Sequence, residues 1–416
     1  MSKGLHVPSE IGNLKKVMLH RPGDELLNLP PDELERLLFD DVPFLPVAQE
    51  EHDTFAQTLR DQGVEVLYLE KLVAEALDAV PEARDEFLDQ WVAEAGITGK
   101  HAPAIIREYI DSFKDNYEMV LHTMAGVTKQ EVQLPVKASE TLRSIVGTDG
   151  DTESDLLVDP MPNLYFTRDP FAVVGNGVNL NRMYSVTRNR ETLYGKYIFK
   201  YHPDYKDSPL WYRRNSAYHT EGGDVLNLNS HAIAVGISQR TEAAAIDVMA
   251  NHMFWSHEDC PIDEIYAFNI PSSRAFMHLD TVFTQIDVDK FTIHPAIMGT
   301  LQVFKLTPGK EENEVKIEEM NDTLEHTLAK ILGLDQVTLI PCGGGDPIAA
   351  AREQWNDGSN TLCVRPGTIC VYQRNNVTND ILYKAGMELL VIPSAELSRG
   401  RGGPRCMSMP FWREDL

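Results

Sequence analysis

The feature that most constrains this chain is a unit that keeps returning: two short apolar strands joined by a tight turn, then a helical stretch, then a third strand. The paired strands fall at Phe171–Val174 and Gly177–Leu180, at Asp224–Leu228 and Ala232–Ile237, at Thr281–Asp287 and Phe291–His294, and at Thr361–Arg365 and Thr368–Gln373. Their turns carry Gly175-Asn176-Gly177, Asn229-Ser230, Val288-Asp289 and Pro366-Gly367. Gly, Asn and Pro supply the backbone angles such hairpins need. Helical segments at Thr241–His252, Asn321–Leu332 and Asp380–Ala385 follow, then strands at Glu264–Ile270, Gln336–Pro341 and Met387–Pro393. A β-β-α-β unit repeated at irregular spacing points to an α/β ring or array. The ring closes if the first strand, Lys15–His20, pairs with the C-terminal segment, where a last short strand is expected at Met407–Met409.

One stretch breaks the pattern. From about Leu72 to Leu121 the apolar residues recur at helical spacing: Phe87, Leu88, Trp91, Val92 and Ala95 form one stripe, and Ile105, Ile106, Tyr109, Ile110 and Phe113 another, after a turn-like stretch from Gly96 to Ala102. Such stripes are packing faces. The expected organisation is therefore repeated α/β units over 1–74 and 151–416, interrupted by a helical subdomain over 75–150 that carries no chemistry of its own.

The residues that lead into each first strand carry the chemistry. Asn163, Phe166, Arg168 and Asp169 precede the first hairpin, Glu221-Gly222-Gly223-Asp224 the second, His278 and Asp280 the third, Asn356-Asp357-Gly358 the fourth, and Cys406 the last strand. Equivalent ends of repeated units gather at one face, so carboxylates, a histidine and a thiol from distant segments are expected to converge. Cys406 stands in Arg399-Gly400-Arg401-Gly402-Gly403-Pro404-Arg405-Cys406-Met407. Nearby cations favour thiolate over thiol, and the thiolate is the nucleophile. A free thiol on a tail or a buried inert one is the plainer reading of this segment by itself.

Composition narrows the partners. A formal net charge of −25 argues against a nucleic-acid or anionic-membrane surface. The five cysteines (Cys260, Cys342, Cys363, Cys370, Cys406) include no C-x-x-C pair, so neither a disulfide framework nor a zinc cluster is indicated. The first residues lack an apolar signal core and no apolar run is long enough to cross a bilayer, which leads to the expectation of a soluble cytoplasmic protein.

Together, Asp169, Asp280, Glu221, His278 and Cys406 suit a planar cation. Two carboxylates can accept forked hydrogen bonds from a guanidinium, a thiolate can attack its central carbon, and a histidine held by a carboxylate can protonate a departing amine and then activate water.

These motifs resemble those of the arginine deiminase family. The resemblance rests on Met161-Pro162-Asn163-Leu164-Tyr165-Phe166-Thr167-Arg168-Asp169, Glu221-Gly222-Gly223-Asp224, Phe276-Met277-His278-Leu279-Asp280 and Gly402-Gly403-Pro404-Arg405-Cys406-Met407-Ser408-Met409-Pro410, in that order. It extends over essentially the whole chain, taking in Phe39-Asp40-Asp41, Gly236-Ile237-Ser238-Gln239-Arg240-Thr241 and Glu353-Gln354-Trp355-Asn356-Asp357-Gly358. It implies a five-bladed pseudo-symmetric ββαβ propeller (the pentein fold) with an inserted helical subdomain, and neither metal nor cofactor. It further implies L-arginine as substrate, a covalent S-alkylthiouronium intermediate, and citrulline and ammonia as products of arginine catabolism. Carried over motif by motif, Cys406 is the nucleophile, His278 the general acid and base, Glu221 its partner, and Asp169 and Asp280 the guanidinium clamp. Asn163, Phe166, Arg188, Arg240 and Arg401 shape the other end of the substrate, with the arginines taking its α-carboxylate. Arg405 stands in the family's pattern without an assigned role. A homo-oligomer is compatible with the sequence.

Readings that share the fold and the thiol stay open from the residues: agmatine deiminase, a dimethylarginine hydrolase, an amidinotransferase. A non-catalytic ring-shaped binding module is the reading from a different class.

Overall fold

The computed structural model describes residues 3–97, 101–132, 155–271, 276–297 and 300–416. The fold is mixed α/β. Among the described residues, five sheets share one arrangement: an antiparallel pair, then a helix that crosses over, then a third strand parallel to the second. Antiparallel neighbours need only a tight turn, whereas a parallel return needs a crossover, and the helix supplies it. The sets are Phe171–Val174, Gly177–Leu180 and Leu210–Tyr212; Val225–Asn229, Ala232–Ile237 and Glu264–Asn269; Phe283–Gln285, Lys290–Ile293 and Thr338–Pro341; Leu362–Arg365, Thr368–Tyr372 and Glu388–Ile392.

The fifth set joins the two ends of the chain. Strand Leu14–Leu19 pairs antiparallel with Met409–Arg413 (Val17 opposite Pro410, Met18 opposite Met409) and parallel with Glu65–Tyr68, after the helix Leu45–Asp61. The expected pairing of the first strand with the C-terminal segment is therefore present.

Several boundaries differ from expectation for local reasons. The last strand begins at Met409 rather than Met407, because Gly403–Ser408 is a turn: the Met407 N–H donates to the Gly403 carbonyl and the Ser408 N–H to that of Arg405, both at 3.1 Å. The third hairpin begins at Phe283, since Leu279–Val282 is a helical turn. The helix expected from Asn321 starts at Leu324, capped by the Thr323 hydroxyl, and residues 315–323 instead form a long hairpin with 300–308 that adds two strands to the Glu264–Asn269 edge.

The helical stretch consists of Leu69–Ala79, Glu82–Glu94, Ala102–Asp111 and Asn116–Ala125. The boundary expected at 74/75 lies inside the first of these, and part of the turn expected from Gly96 to Ala102, like residues 133–150, lies outside the described residues. The apolar stripes pack as their spacing required. Phe87, Leu88, Trp91, Ile106 and Ile110 are fully buried in one cluster, where Phe87 meets the Tyr197 ring edge-on at 5.1 Å. Each such burial contributes about 1.5–3 kcal/mol.

A second connection is ionic. His20, at the end of the first strand, is buried with Nδ1 2.8 Å from Glu70 and Nε2 3.0 Å from Glu25. Burial opposes its charge, but the two carboxylates, Glu70 first, raise its pKa to about 10. The imidazolium thus ties the first sheet to the helix Leu69–Ala79. No helix of the described residues is long and apolar enough to cross a membrane.

Candidate active site

The segments that lead into the strands meet at one cleft of about 720 Å³, lined among others by Asn163, Phe166, Asp169, Arg188, Arg240, His278, Arg401 and Cys406. Their close approach explains the glycines. A methyl group on Gly223 would sit 2.6 Å from Cγ of the His278 ring, and one on Gly222 would overlap the Arg168 carbonyl. Only glycine lets the Glu221–Asp224 turn pass between the segments that carry Asp169 and His278.

Asp224 then fixes His278 from below. Its carboxylate accepts the Leu279 N–H at 2.8 Å and the Ser238 hydroxyl at 2.7 Å, and burial pushes its pKa up to about 6. The Thr281 hydroxyl donates to the His278 carbonyl at 2.7 Å and that of Thr284 to the Asp280 carbonyl at 3.0 Å. These side-chain bonds to the backbone make the helical turn that displaces the expected start of the strand.

His278 Nε2 lies 2.7 Å from Glu221 and Nδ1 3.9 Å from Asp169. Burial works against its positive charge, yet Asp169 and the hydrogen bond to Glu221 prevail and hold its pKa at about 9. Glu221 is itself held well below the usual carboxylate range: burial raises its pKa, but Arg240 and the His278 hydrogen bond outweigh that. At neutral pH the pair is imidazolium and carboxylate.

Cys406 is buried, its Sγ 3.5 Å from Asp280 Oδ2, its N–H donating to Asn360 Oδ1 at 3.1 Å and its carbonyl accepting the Arg168 N–H at 3.1 Å. The thiol is pushed well above its ordinary pKa by burial first and by Asp280, Asp169 and Asp357 next, with Arg405 pulling the other way. The expected thiolate stabilised by neighbouring cations is therefore corrected: the nearby acids outweigh the arginine, and the other two arginines of the segment are engaged elsewhere. Arg399 pairs with Asp41 and Glu396, and Arg401 lies 3.7 Å above the Trp355 ring and 3.7 Å from Asp40.

The two aspartates are alike in one respect. Each has one oxygen bound by an arginine, Asp169 Oδ2 by Arg188 at 3.0 Å and Asp280 Oδ2 by Arg405 at 2.8 Å, and each has a buried Oδ1 with no hydrogen-bond partner. A buried carboxylate oxygen without a hydrogen bond is costly, although Asp169 Oδ1 has the His278 Nδ1 at 3.9 Å. Asp169 lines the cleft, and Asp280, fully buried, lies against Cys406, which does.

Towards the mouth, Arg240 stacks 5.3 Å from the Tyr184 ring and lies 3.6 Å from Glu221, with Nε and Nη1 free of hydrogen bonds; Arg401 has the same two nitrogens free. Arg188 differs, since Nε and Nη2 donate to Glu191 at 2.9 Å and Nη1 to Asp169. Asn163 donates to the Leu37 carbonyl at 2.8 Å. The Phe166 ring fills the space where a side chain at Gly402 would fall.

Asp169, Glu221 and His278 offer ligand atoms within 4.8 Å of one another, the geometry of a metal site. Two guanidinium groups already serve those carboxylates, Arg188 on Asp169 and Arg240 beside Glu221. Their charge, together with that of the His278 imidazolium, opposes a divalent ion at this cluster.

Residues with no local signal complete the site. Asn360 holds the Cys406 amide and also donates to the Asp280 carbonyl at 3.4 Å. Glu10 grips Arg405 from the far end of the sequence. The position of Asn360, just before the fourth hairpin, is the one clue sequence reading offered.

The arginine deiminase family model matches residues 35–413. The chain is 55% identical to an arginine deiminase of Treponema denticola, over 99% of each chain. It is 56% identical to one of Streptococcus gordonii, again over 99% of each. Among solved structures it is similar to an amidinotransferase of saxitoxin biosynthesis from Microseira wollei, with a TM-score of 0.54 at 14% identity over 99% of this chain and 98% of that one. A dimethylarginine dimethylaminohydrolase adduct with S-methyl-L-thiocitrulline gives 0.50 at 12% identity, over 96% of this chain and 100% of the other. These two similarities concern the fold.

Proposed function

This chain belongs to the arginine deiminase family, and from that premise we infer how its cleft hydrolyses L-arginine to L-citrulline and ammonia. The two unpartnered oxygens, Asp169 Oδ1 and Asp280 Oδ1, carry the reading. They call for a planar donor, and Cys406 stands next to the other oxygen of Asp280, the Oδ2 that Arg405 holds.

The substrate guanidinium donates to both aspartates. Its charge offsets the anions that keep the thiol protonated, so the thiol proton leaves to solvent as the substrate enters. The thiolate attacks the guanidinium carbon, and the S–C bond forms as a C=N bond becomes single. His278, an imidazolium in the free site, donates its proton to the leaving nitrogen, and ammonia departs as the C–N bond breaks. The S-alkylthiouronium cation that remains is attacked by water, whose proton passes to the now neutral His278. The adduct then collapses to citrulline: the C–S bond breaks and expels the thiolate, and the remaining hydroxyl proton leaves to solvent or to the departing ammonia. Holding the carbon against the sulfur supplies part of the rate enhancement by position alone.

Arg240 and Arg401, whose Nε and Nη1 make no hydrogen bond, take the α-carboxylate, and Arg188 holds Asp169 in orientation. Asn163 and Phe166 shape the same end of the pocket. The five sheets of matching topology support an arrangement as five blades around a pseudo-symmetry axis, with the helices from Leu69 to Ala125 as an insertion after the strand Glu65–Tyr68. The net charge of −25 agrees with a cytoplasmic enzyme that binds neither nucleic acid nor membrane.

The test is incubation with L-arginine followed by acid trapping and mass measurement. An adduct on Cys406, ammonia release from arginine exceeding that from agmatine or methylated arginines, and a Cys406→Ser variant that binds arginine without turnover are expected. Wild-type turnover by Cys406→Ser removes the nucleophile assignment.

A further inference from the structure

Glu10 is buried in the turn that precedes the first strand. Its carboxylate receives Arg405 Nε on Oε2 and Nη2 on Oε1, both at 3.1 Å, and the Asn227 N–H on Oε1 at 3.1 Å. Its own N–H donates to the Asn227 carbonyl at 2.7 Å, which fixes it to the strand Val225–Asn229. Arg405 Nη2 also donates to the Val225 carbonyl at 2.9 Å, leaving Nη1 to reach Asp280 Oδ2 at 2.8 Å. That same oxygen is 3.5 Å from the Cys406 sulfur.

This geometry is not the one an arginine and a carboxylate adopt when left to themselves. A free guanidinium forks onto both oxygens of its partner. Here the fork is spent on Glu10, so Arg405 touches Asp280 with one nitrogen and Oδ1 remains unpartnered. The charge follows the geometry. Burial raises the Glu10 pKa, but Arg405 and Arg168 outweigh it and hold the carboxyl ionised, at about 2. The charged groups that bear on the sulfur are Asp280, Asp169, Asp357 and Arg405, with His278 on the same cleft.

We propose that Glu10 is a positioning residue of the deiminase reaction: by occupying the fork of Arg405 it leaves one Asp280 oxygen open for the guanidinium and keeps the arginine from pairing fully with Asp280 beside the sulfur. The proposal rests on the roles of Cys406 and Asp280 given above.

Glu10→Gln in the full chain tests it with two readouts of opposite sign. Without substrate, alkylation of Cys406 by iodoacetamide at pH 7, followed on its own peptide by mass spectrometry, is expected to quicken about tenfold, since one pKa unit is a tenfold change in thiolate. The kcat/KM for arginine is expected to fall about tenfold or more, chiefly through KM. A merely loosened structure would expose the buried thiol, so the pH profile of alkylation is followed as well: a midpoint moved to lower pH with an unchanged limiting rate marks the charge effect. An unmoved alkylation profile overturns the proposal, as does an unchanged KM. If Glu10→Gln fails to fold, Arg405→Lys decides: it keeps the charge but cannot bridge Glu10 and Asp280 together, so a raised KM supports the proposal and a wild-type KM overturns it. Alkylation needs no arginine turnover, so its result stands apart from the deiminase reading.

Discussion

The Cys406 sulfur lies 3.5 Å from the Asp280 oxygen that Arg405 also holds. A thiol beside an anion stays protonated, so the proposed nucleophile is held back in the substrate-free site. Asp280→Asn removes the anion and is expected to quicken alkylation of Cys406 at neutral pH while lowering kcat/KM for arginine by about 10²–10³, the loss typical of one charge-stabilising contact in the transition state. Iodoacetamide kinetics and an ammonia assay on the same preparation check the two directions.

In the proposed reaction His278 carries the proton that releases ammonia, and Asp169 and Glu221 hold its pKa at about 9 despite burial. The acid is therefore present below that pH and lost above it. Glu221→Gln removes the hydrogen-bonded anion at 2.7 Å and lowers the imidazole pKa. The alkaline limb of the kcat/KM profile should move to lower pH, with a larger loss at pH 8.5 than at pH 6, conditions chosen as about half a unit below and well below the wild-type limb.

A methyl at Gly223 would meet the His278 ring at 2.6 Å. Gly223→Ala is expected to displace the imidazole and lower kcat by about 10²-fold, the penalty of an ångström-scale misplacement, at a stability cost of about 1–3 kcal/mol. Thermal unfolding and single-turnover rates separate the two effects.

Arg240 and Arg401 hold unused donors at the mouth of the cleft. Arg240→Ala should raise KM for arginine by about tenfold or more, the range of a charge-assisted hydrogen bond, and leave agmatine, which lacks the carboxylate, less affected. The ratio of kcat/KM values for the two substrates is the measurement.

His20 predicts a stability profile rather than a rate. Its folded pKa of about 10 exceeds the ordinary histidine value. The contribution is fully present below about pH 6.5 and is lost as pH rises through about 10. Breaking a buried ion pair costs about 3–5 kcal/mol. His20→Asn is expected to lose that much at pH 6 and progressively less towards pH 10, read from urea midpoints across the range.

The sequence revealed what local chemistry encodes. Gly175-Asn176-Gly177 and Pro366-Gly367 mark their hairpins because few other residues adopt those angles, and the Phe87 and Ile106 stripes mark buried helix faces through spacing alone. The paired acids, histidine and cysteine were legible because they recur at matching points of a repeat. Glu10, Asn360 and the role of Arg405 were not. Each acts on a partner in a distant segment, Glu10 on Arg405 and Asn360 on Cys406, and the neighbours of Glu10 in sequence carry no trace of that contact. The sign of the perturbation at Cys406 was misread for a related reason. Arginines adjacent in sequence pointed to thiolate, whereas acids adjacent in space determine the outcome. The strands at 300–308 and 315–323 alternate apolar and polar residues around Pro308-Gly309, a hairpin signal that could have been used.

The strand that follows the nucleophile completes a sheet begun by Leu14–Leu19. During synthesis the early strand leaves the ribosome with one edge unsatisfied and waits for nearly all the remaining chain before its neighbour exists. Pairings of such long sequence separation form late. The thiol and the strand beside it are made together, so the sulfur and its seat enter the fold in one step. Translation that stalls short of Met409 leaves an unpaired edge and an unseated sulfur, a product for proteolysis rather than a partial enzyme.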